Sequence, residues 1–284
     1  MHPTVRRAGA LAAAILALMP VSSARAMALP AGNAVLLRYR FVPGQTYAYR
    51  MVMNMRMSMS TTGVPASASA SNETVTMGSM VRYHILRVDA SGGADAEVSL
   101  SEATMSTTTG GRTTTTTLAN QPPIAVHLGT DGRMQGALSS GLGTYGLEAI
   151  GTLPHHAVAP GAQWTSTAVT SLPSAFTSLA PQHVTAHNVF SRYLQFDGQR
   201  VEAINTTGTL QYITDTTLSG TPVHMHVAAG MTGQSLFGLA VHRTVASQEH
   251  LDMHLFMSGS TATGANAGVN MHIVLSVSLK PYGW

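Results

Sequence analysis

The chain has 284 residues, with 15 Lys plus Arg against 12 Asp plus Glu, no cysteine, 17 methionines and only 10% charged residues. Without cysteine there is no disulfide scaffold, thiolate zinc site, iron–sulfur cluster, cysteine nucleophile or lipidated cysteine, so packing and backbone hydrogen bonds must hold the fold. The formal charge of +3 raises nucleic acid or an anionic membrane as partners.

Residues 1–26 read as a signal peptide: Arg6 and Arg7, an apolar run from Ala8 to Met19, then Ala24-Arg25-Ala26 as a small-x-small cleavage site. The run is shorter than the ~20 residues of a membrane-spanning helix. The residues after Arg6-Arg7 lack the large apolar side chain that the twin-arginine route favours, so general secretion is expected. Cleavage after Ala26 would remove Arg6, Arg7 and Arg25 with no acid, leaving a formally neutral chain. Only one lysine, Lys280, is present. A nucleic-acid role thus loses the clustered cations it needs, and the expected product is periplasmic or secreted, without stable membrane insertion.

Strands dominate the remainder of the chain. Tyr47, Tyr49, Met51, Met53, Met55, Met57 and Met59 are apolar, while the even positions between them are mostly polar. Period-two alternation of this length predicts one long strand with a buried face. Ser60 to Ser71, a Ser/Ala/Thr/Gly/Pro mixture, reads as a flexible loop. Ala96, Val98 and Leu100 mark a shorter strand, and the threonine-rich stretch Met105 to Thr117 reads as an exposed edge hairpin. Gln135 to Thr152, with Leu138, Leu142, Leu147 and Ile150, is the one helical candidate. Further alternation occurs at Val223 to Ala229, Leu251 to Met257 and Met271 to Leu279. Turn signals punctuate the chain at Pro43-Gly44, Ser91-Gly92-Gly93, Gly110-Gly111, Asp131-Gly132, Asp197-Gly198 and Ser219-Gly220. The predicted class is all-β with minor α: a long curved antiparallel sheet or half-barrel with one or two short helices. A membrane-spanning barrel fits poorly, because the face counted back by twos from Trp284 turns polar at Lys280 and Pro281 interrupts the ladder.

An internal echo divides the chain. Phe41-Val42-Pro43-Gly44-Gln45-Thr46-Tyr47 and Val158-Ala159-Pro160-Gly161-Ala162-Gln163-Trp164 each set a Pro-Gly turn before an aromatic and a strand. Two halves of one β domain are suggested, 27–152 and 153–284. These segments, with Leu37 to Met51, Leu153-Pro154 and Gly233 to Gly238 leading to Val245-Ala246-Ser247, resemble an uncharacterised family of exported bacterial β-rich proteins. The layout is similar to the periplasmic lipoprotein carriers, in which a half-barrel surrounds an apolar cavity. That resemblance implies a fold and assigns no site residues.

Chemistry is sparse. No Gly-x-Ser-x-Gly elbow, His-Glu-x-x-His, phosphate-cradling loop or dinucleotide fingerprint occurs, so no enzyme and no cofactor are expected. The methionine ladder, with Met253 and Met271, could be core, the wall of a cavity for an apolar small molecule or lipid, or a thioether site for Cu(I). Odd neighbours stand nearly 7 Å apart along a strand, so copper would need sulfurs from other strands. The leading expectation is a non-catalytic protein binding a lipid or acyl chain through Tyr47, Tyr49, Met51, Met53, Met55, Met57, Met59, Met253 and Met271. A structural or interaction protein of the cell envelope with a packed core is the alternative, and its protein partner is unspecified. No metal site is assigned, although His226, His254 and His272 share a polar face and would converge if their strands were neighbours; otherwise they decorate a wet surface.

Overall fold

The computed structural model describes residues 34–63, 70–120, 122–136, 152–170, 182–218, 221–260 and 266–282. Residues 1–26, expected to be a signal peptide, lie outside them, as does most of the stretch from Gln135 to Thr152. Gln135 and Gly136 belong to a strand, pairing with His127 and Val126, and no helix occurs among the described residues.

Twelve strands form one antiparallel, curved and unclosed sheet. They are β1 (Thr46–Thr62), β2 (Ala70–Val88), β3 (Ala94–Thr109), β4 (Arg112–Thr117), β5 (Ile124–Leu128) and β6 (Met134–Gly136), then β7 (Gln163–Thr170), β8 (Gln182–Phe196), β9 (Gln199–Leu218), β10 (Thr221–Gly238), β11 (Arg243–Ser260) and β12 (Asn266–Pro281). Their order is β6-β5-β3-β2-β1-β12-β11-β10-β9-β8-β7, with β4 on β3 beside β5. The first strand therefore pairs with the last, and the two halves of the sequence join at the middle of one sheet.

Local signals account for most of the boundaries. Gly110-Gly111, both at positive φ, turn β3 into β4, making the expected threonine hairpin, whose β4 is exposed along its whole length. Asp197 and Gly198, also both at positive φ, close the two-residue β8–β9 hairpin as an Asp-Gly pair should. The loop expected from Ser60 is shorter than its composition suggests. Ser60 pairs with Ala70, so the ladder runs further than the apolar stripe and residues 64–69 alone fall outside the described structure.

The echoed Pro-Gly segments do the same structural job twice. The Gly44 amide donates to Ile85 O (2.8 Å) and the Ile85 amide to Gln45 O (2.9 Å). In the other half the Gly161 amide donates to Phe190 O (2.7 Å) and the Phe190 amide to Ala162 O (2.9 Å). Each receiving residue lies at a register shift, Ile85/Arg87 in β2 and Phe190/Arg192 in β8. Such bulges add local bend and twist, which helps the sheet to curl.

Residues 34–42 strap that end of the sheet. Val35 bridges Val158, the Tyr39 amide donates to Thr130 O (2.8 Å) and the Arg40 amide to His242 O (3.2 Å). The Leu153 amide reaches Asp131 O (2.8 Å), so the turn before β6 and the segment leading to β7, at opposite ends of the strand order, meet under the strap. Leu37 is fully buried there with Leu153, Val158, Phe190, Tyr193 and Phe237. The main core lies on the inner face of β1, β2, β3, β5, β6 and β12, where each fully buried large side chain contributes roughly 1.5–3 kcal/mol. No helix among the described residues is long and apolar enough to cross a membrane.

Candidate functional site

Register determines which side chains share the inner face. Met53 stands opposite Met77 on β2 and Val277 on β12, and Met55 opposite Val75 and Leu275. The row through Met57 continues to Ile273 and then Met253, and the row through Met59 to Met271 and Leu255. Odd positions of β1, β11 and β12 therefore line one surface. A one-residue slip would turn the whole stripe to water, so burial itself holds the register.

The nine residues singled out from the sequence share that face but occupy three environments. Met51, Met53 and Met55 are 8%, 2% and 4% exposed and are packed core. Met57, Met59, Met253 and Met271 are only partly buried and lie away from the strap, where Met257 joins them. Tyr47 and Tyr49 lie at the strap end. One further row, Met53, Met77 and Met105, places methionines side by side in the register of β1, β2 and β3.

At the strap end Tyr39, Tyr47, Tyr49 and Tyr83 surround a cavity of about 110 Å³, bordered also by Leu279, Met134 and Arg243. Tyr39 and Thr244 share a hydroxyl hydrogen bond of 2.7 Å, and the Tyr49 hydroxyl donates to Thr244 O at 3.1 Å. Tyr49 packs edge-on to Tyr83, and Tyr39 edge-on to Phe237. The Arg243 guanidinium lies over the Tyr47 ring, 4.7 Å from its centroid. Burial pushes all four phenols above their ordinary range, and Arg243 only partly opposes this at Tyr47 and Tyr49, so the phenols stay protonated near neutral pH and the charge at the cavity wall comes from Arg40 and Arg243. The space is smaller than the ~150 Å³ apolar cavity that admits a benzene molecule. It is too small to enclose a whole acyl chain.

Two carboxyls lie among these apolar surfaces. Glu249 projects over Gly233, where an added Cβ would stand 3.1 Å from the Glu249 Cγ, and burial raises its pKa to about 7. Glu202 is fully buried and neither carboxyl oxygen has a hydrogen-bond partner among the described residues. Burial raises its pKa to about 8 although Arg200 pulls the other way. Sequence reading missed both acids, along with Tyr39 and Tyr83. Glu249 carried one signal, an odd position in a strand whose odd side is apolar, whereas Glu202 had none.

No protein-family model matches the chain, and no curated protein does either.

Proposed function

We propose that this is an exported, non-catalytic protein that binds a lipid or acyl chain at the methionine-lined end of its inner face. The change of environment along one ladder supports the reading most directly. Met51, Met53 and Met55 are sealed, whereas Met57 and Met59, with Met253, Met257 and Met271 beside them, keep part of their surface open on the same apolar face. Unbranched thioether side chains repack around ligands of different shape, which suits acyl chains of varied length. The signal-like N-terminus and the resemblance to periplasmic lipoprotein carriers agree with this reading. Native mass spectrometry of detergent-free protein, together with titration of a fluorescent fatty acid, tests it. Retained lipid mass, or saturable fluorescence that falls at least tenfold in affinity in Met57→Asp/Met271→Asp, is expected. A bare protein mass with no saturable binding refutes it.

A structural or interaction role is the second reading, favoured by the packed centre of the ladder and by β4, whose six residues are exposed and whose one partner strand among the described residues is β3. Such an edge can accept a strand from another protein. Fatty-acid titration separates the two, because this role predicts no uptake.

A further inference from the structure

The polar face of the sheet carries a cluster unrelated to the apolar one. Asp252 and His254 are two residues apart on β11, so both point to the side opposite Met253 and Leu255. His272 stands directly across from His254 on β12. The apolar stripe behind these strands holds their register, so the three side chains are brought together by the burial of the other face.

The two imidazoles are stacked, 4.2 Å between centroids and 5° from parallel. Both present Nε2 to the same carboxylate oxygen, His272 at 2.9 Å and His254 at 3.4 Å from Asp252 Oδ1. One ligand-type atom from each residue lies within 4.8 Å of the other two, and among the described residues this is the one His/Asp/Glu group with that property. Two features keep the site open. The β10 residues facing His254 and Asp252 are Ala228 and Gly230, and an added Cβ at Gly230 would meet nothing within 4 Å. A hollow of about 310 Å³ lies in front of the histidines, bordered also by Ser58 and Asn72. The side chains of Asp252, His254 and His272 are 47%, 68% and 38% exposed, so a cation reaches them without crossing an apolar layer.

We propose that Asp252, His254 and His272 form a binding site for a divalent transition-metal ion of the zinc or copper type, with water completing the coordination. Two imidazole nitrogens and one carboxylate suit such ions better than Mg²⁺ or Ca²⁺, which prefer oxygen ligands alone. Zn–N bonds of about 2.05 Å in a tetrahedron put ligand atoms about 3.3 Å apart. Both contacts to Asp252 are already near that spacing, and the rings need only splay from their stack into the adjoining space. In the free protein His272 Nε2 and Asp252 Oδ1 are within hydrogen-bond distance, and His254 Nε2 lies just beyond that distance. On binding, the proton of each neutral ring resides on Nδ1 and both Nε2 lone pairs face the metal. His226 borders the same hollow but stands opposite Phe256, one row away, with its Nε2 3.4 Å from the Gln211 amide nitrogen. It is not a ligand in this assignment.

The test uses the full exported chain, purified without a polyhistidine tag, stripped with chelator and titrated with zinc chloride by calorimetry. One saturable equivalent is expected, with affinity at least tenfold weaker in Asp252→Asn, His254→Ala and His272→Ala. His226→Ala and a double His155→Ala/His156→Ala control should bind as the parent does. Circular dichroism verifies that each variant keeps its sheet, which the exposure of all three side chains favours. Absence of saturable uptake below about 1 mM zinc overturns the proposal. So does parent-like affinity in the three ligand variants, or an equal loss in His226→Ala.

Discussion

Replacing Glu202 by Gln should flatten the dependence of stability on pH. The carboxyl is fully buried and lacks a hydrogen-bond partner among the described residues, and its pKa of about 8 compares with 4.5 for the free side chain. Between those values the unfolded chain has released the proton while the folded chain still holds it, so stability falls as pH rises. The slope is about 1.4 kcal/mol per pH unit and the accumulated loss at pH 7 is on the order of 3 kcal/mol. Above pH 8 the loss levels off. Gln is neutral throughout, so the variant should match the parent near pH 4.5, apart from a small constant difference, and exceed it increasingly toward pH 8. Urea denaturation followed by circular dichroism at pH 4.5, 6, 7 and 8 measures this directly. Glu249→Gln should behave likewise, with its plateau near pH 7. Asp89 and Asp95 do not blur the window. Hydrogen bonds, from Ser91 to Asp89 and from His127 to Asp95, hold those carboxyls below their ordinary range, so they act in more acidic solution. A variant-minus-parent difference that stays constant from pH 5 to 8 would refute the argument, because it would mean that Glu202 is ionised in the folded state.

The methionine ladder should divide by position. Met53→Ala removes a side chain that is 2% exposed and should cost about 2–5 kcal/mol, whereas Met57→Ala at the partly open end should cost less than about 1 kcal/mol, both measured by urea denaturation. Gly132→Ala should lower stability by about 1–3 kcal/mol in thermal unfolding. Gly132 has φ +88°, and a Cβ there would stand 2.8 Å from Tyr39 Cε2, so the substitution strains the turn and displaces the strap together.

Particular segments show how much was legible. Alternation from Tyr47 to Met59 identified β1 and its buried face, because a strand with one wet side must repeat every two residues. Asp197-Gly198 and Gly110-Gly111 marked hairpins for an equally local reason, the need for positive φ. The echo of Pro43-Gly44 in Pro160-Gly161 foreshadowed matched hydrogen bonds in both halves. The helix expected in Gln135 to Thr152 had no comparable support: leucine spacing alone was set against several glycines, and its first two residues pair in β6 instead.

Chemistry was less legible than fold. Equal side chains of one ladder read alike in sequence, yet Met53 is sealed and Met59 is partly open: on the same two neighbouring strands Met53 faces Met77 and Val277, whereas Met59 faces Ser71 and Met271. Strand class, face assignment and turn positions arise from interactions among residues close in the chain, and those were written in the composition and periodicity. The pairing of β1 with β12, the tyrosine cavity beneath the strap, the buried carboxyl of Glu202 and the meeting of His254, His272 and Asp252 required register between distant segments. Burial of the apolar face across the whole sheet sets that register, and local pattern does not encode it.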